Sequence, residues 1–297
     1  MPRDFECSQV SAARGEPMFA TGSLVRGWLL VEVRGAWGPD AVHDSALGEF
    51  VPAHWKEQLK QRGVRAICVR SHLRPEAGEV RLFTCAARRP GDTAARVWWR
   101  DVSSLADVAD ATAEVSSDRD PGDAWQPLHH PLLLVCTNGR HDACCADYGR
   151  PLARAIRASR WGRHLWECSH VGGDRFAGNL VVLPRSLYFG RVTPEAAVPL
   201  LSALEAGRID LDHFRGRTSY SLAEQAVEHF VRRELDVAGV DDVVVGERAA
   251  DGAFQVRLAD GTVQVRIRRR MQSVAEPLTC KGRPDQLVPA FTLDSIA

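Results

Sequence analysis

The chain has 297 residues, 45% of them hydrophobic and 26% charged, with 38 basic and 38 acidic side chains. At roughly 100–200 residues per domain, that is about two globular domains with material enough for a core. The balanced charge argues against a dedicated nucleic-acid or membrane-surface binder, and the longest apolar run, Pro131 to Cys136, is too short to span a bilayer. The opening MPRDFECSQV lacks the basic and apolar stretches of a signal peptide, so the expectation is a soluble, cytoplasmic protein. Only Lys56, Lys60 and Lys281 are lysines; the many arginines are spread along the chain, which reads as codon bias rather than a recognition cluster.

The first third reads as an α/β unit. Strands are expected at Gly27–Val33, Val64–Val69, Val80–Cys85 and Val97–Val102. Helices are expected at Pro52–Gln61, where Trp55 and Leu59 share a face, and at Leu105–Val115. Residues 116–130, with two prolines and many charges, read as a linker.

A second unit opens with the strand Pro131–Cys136 and a loop from Thr137 to Tyr148, after which Pro151 suits the first position of a helix. A strand at Leu165–Cys168 follows, then a glycine break at Gly172 and Gly173. A hairpin around Pro184–Ser186 comes next, and a helix capped by Thr193. The order β-loop-α-β-β-β-α is close to that of a thioredoxin-like sheet.

From about Arg215 the tail reads as an amphipathic helix, Leu222–Glu234, and a β-hairpin turning at Asp260–Gly261. Its Arg266 and Arg268 lie on the polar face of what reads as a charged edge strand, with docking to an acidic partner as the alternative. The expected division is therefore an N-terminal α/β domain (1–125), a domain with a thioredoxin-like strand order (126–212) and a small α+β tail (213–297).

Cysteine carries the chemical signal. Without a secretion signal the eight cysteines are not expected to form a disulfide framework. Cys68 and Cys85 sit in apolar strands and read as small buried hydrophobes. Cys136, Cys144, Cys145 and Cys168 instead fall beside glycine, histidine and aspartate, in CTNGRHDACCADYGRP (136–151) and WECSHVGGDRFAGN (166–179). Thiolate and imidazole together suit zinc, copper or an iron–sulfur cluster. Each also has a plainer reading: Cys136 as a strand-end thiol, Cys144 and Cys145 as a vicinal redox pair, His170 as a cap on the glycine turn. His129, His130 and His141 read as loop histidines, with His141 and Asp142 placed to order hydrogen bonds nearby. Arg175 and Asn179 read as residues that pin the loop.

Taken together, C-x-x-G-x-x-D-x-C-C at Cys136–Cys145 and SHVGGDRFAGN at Ser169–Asn179 resemble the sucrase/ferredoxin-like family, with WLLVE at Trp28–Glu32 and the element at Leu187–Arg191 in support. The resemblance covers roughly residues 20–210. Fungal members of that family are thioredoxin-like [2Fe-2S] proteins, and it implies a cluster bound by two cysteines and two histidines. The matching positions here are Cys136, Cys145 and His170, while the fourth is Asp174 rather than histidine. Either Asp174 binds iron, which would lower the potential, or it orients His170 and Cys168, Cys144 or Cys280 completes the set.

The function this implies is one-electron transfer by a [2Fe-2S] protein, more a carrier than a stand-alone enzyme. Histidine ligation would make the potential fall as pH rises. No G-x-G-x-x-G fingerprint is present, so electrons would come from a redox partner protein such as a flavin-dependent reductase. The alternatives are a thiol-redox protein of thioredoxin-like fold, weakened by the missing C-x-x-C, and a zinc-stabilised binding module. Glycoside hydrolysis needs two opposed carboxylates, and no such pair stands out.

Overall fold

The computed structural model describes residues 5–73, 78–92 and 97–297. After helix α1 (Cys7–Ala13) comes β1 (Gly27–Glu32), buried along its whole length. That is what an unbroken apolar run predicts for a strand covered on both faces. Helix α2 (Trp55–Gln61) starts three residues later than expected, because Pro52–His54 form the turn that leads into it; Trp55 and Leu59 are its buried face. The strand β2 (Val64–Arg70) returns parallel to β1, with β3 (Val80–Ala86) antiparallel to β1 and β4 (Val97–Val102) antiparallel to β3.

The helix expected at 105–115 is shorter, a 3-10 turn followed by α3 (Val108–Ala111). The segment that reads as a linker contains an edge strand, β5 (Gln126–Leu128), paired with β4. Its Pro127 is tolerated because an edge strand has hydrogen-bonding groups that face no neighbour.

The second unit repeats the plan. It comprises β6 (Leu132–Cys136), α4 (Ala143–Arg157), β7 (Leu165–Cys168), β8 (Leu180–Leu183), β9 (Leu187–Phe189) and α5 (Pro194–Glu205). One expectation is corrected: Pro151 lies inside α4, not at its start. The helix begins eight residues earlier because Asp142 caps it, its Oδ1 accepting the Cys144 N–H at 2.9 Å. Proline costs a helix one backbone bond; here Leu152, Ala153 and Ile156, buried against the sheet, offset it. Gly149 lets α4 lie on the end of β6, since a Cβ there would come within 1.9 Å of the Cys136 carbonyl oxygen.

All ten strands of these units form one sheet, in the order β10-β9-β8-β6-β7-β2-β1-β3-β4-β5, where β10 is Phe214–Arg217. Within it β2-β1-β3-β4 and β7-β6-β8-β9 have the same order and directions. The two halves meet where β2 runs antiparallel to β7, pairing Val69 with Cys168 and Arg70 with Glu167. The first α/β unit is thus a second copy of the thioredoxin-like strand order.

The tail is α6 (Leu222–Glu234), with a Ser221/Glu224 capping box, beneath an antiparallel sheet β11-β12-β13-β14. These strands are Val244–Arg248, Phe254–Arg257, Thr262–Val274 and Gln286–Ile296. A second expectation is corrected here. The arginine-rich β13 is not an edge strand but pairs on both sides; the edge is β14, whose Pro289 stands opposite Met271. Arg266 pairs with Asp251, and Arg268 with Asp294 at 3.3 Å, so both serve the sheet itself. A fully buried Arg217–Glu228–Arg232 network fastens α6 to β10, at 2.8 and 3.0 Å. Among the described residues no helix is long and apolar enough to cross a membrane.

Candidate metal centre

Parallel strands with a crossover helix leave their carboxyl ends as the natural place for a ligand. Cys136 ends β6 and its register partner Cys168 ends β7. The loop after β6 turns into α4 and brings back Cys145 in the first helical turn. The loop after β7 carries His170 and Asp174 around Gly172 and Gly173, at φ 99° and 82°, a left-handed conformation that suits glycine. A Cβ at Gly173 would also meet Arg215 Nη2 at 2.2 Å.

These two loops draw five donors together, in two groups that share His170. The ligand atoms of Cys136, Cys145 and His170 lie within 4.8 Å of one another, as do those of His141, His170 and Asp174. Cys145 Sγ donates to Asp174 Oδ1 at 3.0 Å. His170 Nδ1 lies 2.9 Å from the same oxygen but out of hydrogen-bond alignment, and among the described residues this buried nitrogen has no aligned partner. His141 stacks on His170 at 3.7 Å, with its Nε2 3.8 Å from Asp174 Oδ2.

The electrostatics follow from this crowding. A hydrogen bond from Cys145 and then the His170 charge pull the Cys136 thiol down to about 5, against the effect of burial. The same Cys136–Cys145 bond, with burial, pushes Cys145 well above the ordinary thiol range. Burial disfavours charge on His170, yet Asp174 and Cys136 outweigh it and raise the imidazole to about 9. Burial likewise acts to raise Asp174, but His170, Cys145 and His141 hold it below the usual carboxylate range. Thiolate, imidazole and carboxylate meet in a largely apolar site, and this donor set suits a transition metal.

The surrounding side chains fix the loop. Buried Arg215 donates to Asn179 Oδ1 at 2.7 Å, to Gly172 O at 3.0 Å and to Thr21 O at 2.6 Å. Asn179 Nδ2 donates to Gly173 O at 2.9 Å, and Arg175 Nε reaches Glu16 Oε1 at 2.8 Å. Both therefore hold the loop rather than face the donors. Arg65 Nη2 donates to the His170 carbonyl at 2.8 Å. The open side is a groove of about 970 Å³ lined by His170, His141, Asn138, Lys56, Lys60 and Arg65, among others.

The other candidate residues are placed differently. Cys168 is fully buried beside Cys136, but its sulfur is outside the group of converging donors. Cys144 turns away from that group and meets Cys280, at 3.4 Å between sulfurs, and Cys7, at 3.7 Å. Cys68 and Cys85 are buried strand cysteines, as expected. Sequence reasoning missed Cys7, 137 residues from Cys144, because no local spacing marks it. It also missed Arg215, which carries no motif.

A family model described as sucrase/ferredoxin-like matches residues 19–216. The chain belongs to that family. The matched span of this sucrase/ferredoxin-like protein contains both loops of the candidate centre but neither Cys7 nor Cys280. Among curated relatives, "Altered inheritance of mitochondria protein 32" of Eremothecium gossypii is 30% identical over 109 residues, covering 32% of this chain and 35% of the relative. Its counterpart in Meyerozyma guilliermondii is 32% identical over 101 residues, 31% of this chain and 36% of the relative. The chain thus matches about a third of the length of these relatives. Among solved structures, a thioredoxin-like [2Fe-2S] ferredoxin from Aquifex aeolicus aligns with a TM-score of 0.28 and 15% identity, over 32% of this chain and 97% of the ferredoxin.

Proposed function

We propose that this protein is a one-electron carrier that holds a [2Fe-2S] cluster through Cys136, Cys145, His170 and Asp174. The observation that carries the reading is the convergence of these four side chains from two loops at adjacent strand ends. The donor chemistry fits: sulfur and imidazole are cluster ligands, and His170 Nδ1 faces Asp174 Oδ1 at 2.9 Å beside the Cys136 and Cys145 sulfurs. Asp174 suits the fourth position because its Oδ1 lies 3.0 Å from Cys145 Sγ and 2.9 Å from His170 Nδ1, whereas the Cys168 and Cys144 sulfurs join neither converging group of these donors. When bound, such a cluster supplies reversible exchange of a single electron.

The chain's own residues would set how that exchange proceeds. Cys136 and Cys145, both about 1% exposed, keep the sulfurs dry. Asp174 adds a negative charge that disfavours the reduced state, and Arg215 partly offsets it. His170, with its side chain 25% exposed, is the donor nearest solvent. With Nδ1 committed to the donor set, Nε2 is where a proton leaves on oxidation and returns on reduction, so the potential falls as pH rises. Arg26 and Arg65 leave the groove net positive beside the Lys56–Asp40 and Lys60–Glu57 pairs, which suits an acidic redox partner docking over His170.

The compactness of the donor set favours a second reading, a single metal ion held by the same side chains. Iron and acid-labile sulfide, quantified with the visible spectrum of anaerobically purified protein, separate the two. Two irons and two sulfides per chain with visible charge-transfer bands support the cluster. One metal without sulfide supports the single ion, and neither would overturn both.

A further inference from the structure

A second set of donors lies one residue away from the first and uses none of its side chains. Cys7 comes from α1, Asp142 and Cys144 from the start of α4, and Cys280 from the connection between β13 and β14. Their ligand atoms all lie within 4.8 Å of one another. The three sulfur–sulfur distances are 3.4, 3.6 and 3.7 Å. Cys7 Sγ is 3.8 Å from Asp142 Oδ1. A tetrahedral ion with zinc–sulfur bonds of about 2.3 Å has a sulfur–sulfur edge of about 3.8 Å. The observed triangle is that edge, slightly contracted.

We propose that Cys7, Cys144, Cys280 and Asp142 bind one zinc ion. The carboxylate is oriented for it: Oδ1 accepts the Cys144 N–H at 2.9 Å and Oδ2 accepts the Cys280 N–H at 2.6 Å. Such outer hydrogen bonds are what hold a metal-binding carboxylate in place. Among the described residues no lysine, arginine or histidine pairs with Asp142, although it is 1% exposed. Two backbone N–H groups and the N-terminus of α4 favour negative charge at this point, and a divalent cation would take the carboxylate and the three thiolates as ligands. Phe5, Tyr148 and Ala177 pack around the sulfurs, of which Cys7 and Cys144 are buried and Cys280 is half-buried. All three cysteines are free.

The chemistry balances without an oxidant. Three S–H groups release their protons to solvent, and the three thiolates with the carboxylate take up one Zn²⁺. No position is left open for substrate, so the ion acts as a fastener. It joins three segments far apart in sequence at the turn of α4 that also carries Cys145. The proposal is independent of the iron–sulfur reading, since no ligand is shared.

The test is metal analysis of the full chain, wild type against Cys7→Ser, Cys280→Ser and Cys136→Ser. One zinc per chain is expected in the wild type, lost on dialysis from the Cys7 and Cys280 variants and retained in the Cys136 variant. Iron and visible absorption should respond in the opposite sense. Zinc that stays in the Cys7 and Cys280 variants, or leaves only with Cys136, overturns the assignment. So does a wild type that takes up no zinc, or a disulfide joining two of these three cysteines. Should the serine variants fail to fold, zinc X-ray absorption on the wild type decides. Three sulfurs and one oxygen support the site, and fewer sulfurs or a nitrogen overturn it.

Discussion

Cys144 and Cys145 are consecutive on α4 yet serve different clusters: Cys145 Sγ lies 3.0 Å from Asp174 Oδ1, and Cys144 Sγ lies 3.4 Å from Cys280 Sγ. Neighbouring positions on a helix point about 100° apart, so one turn feeds two centres without either sulfur reaching the other's. Substituting them one at a time should therefore give different losses. Cys145→Ser should remove visible absorption and leave zinc in place, while Cys144→Ser should remove zinc and leave the visible spectrum near its wild-type form. Equal effects of both substitutions on both metals would contradict the separation.

Asp174 is the position where this chain departs from a two-cysteine, two-histidine set. Asp174→His exchanges an anionic oxygen donor for a neutral nitrogen, which should raise the reduction potential. Asp174→Ala should lower iron retention at least tenfold, in the range expected when a ligand or its supporting partner is lost. Redox titration followed by visible absorption checks both. A potential unchanged in Asp174→His would place Asp174 outside the ligand set.

The loop that carries His170 and Asp174 is held from behind by Arg215. Gly173→Ala would need a positive φ and a Cβ 2.2 Å from Arg215 Nη2, so it should displace the guanidinium and spread the donors. The expected outcome is poor metal loading with a secondary-structure spectrum close to wild type. Full loading in Gly173→Ala would show that the donors do not depend on this brace.

Stability should fall in mild acid through a residue remote from both centres. His229 stacks on Phe19 at 4.1 Å, and among the described residues its buried Nδ1 has no hydrogen-bond partner. Burial first, and then Arg233, lower its pKa from 6.5 to about 4, with Glu228 opposing. The folded protein therefore keeps this ring neutral while the unfolded chain takes up a proton. Its contribution is complete above pH 6.5 and is lost as pH falls toward about 4. His164, lowered to about 4 by burial, His130 and Arg163, adds a slope of the same sign. Urea unfolding of His229→Phe at pH 7 and pH 4.5 should show a smaller acid loss than wild type; an identical loss would remove His229 from the account.

Much of this architecture is legible in the sequence where the signals are local. The run WLLVE, the capping residue Thr193, the amphipathic pattern of Leu222–Glu234 and the hairpin turn at Asp260–Gly261 each specify their element through nearby contacts. The α4 start was masked because Asp142 reads equally well as a turn residue, and Pro151 as a helix beginning. The shared ten-stranded sheet depends on β2 pairing with β7, a contact between chain segments that leaves no pattern in either strand. At the candidate centre the C-x8-C spacing and the glycine-flanked His170 and Asp174 were visible. Cys7 was not, because only folding brings it to Cys144, and Cys280 stood out only as a ligand for the first centre, whereas the fold takes it to Cys144 and Cys7.

The most direct test of the central claim is the spectrum of the anaerobically purified protein before and after chemical reduction, with iron and sulfide measured on the same sample. The account predicts visible bands that bleach on uptake of one electron and a paramagnetic reduced state, with about two irons and two sulfides per chain. Cys136→Ser should abolish all of these. A colourless protein without iron or sulfide, even after anaerobic reconstitution, would contradict the assignment of the Cys136, Cys145, His170 and Asp174 site to electron transfer.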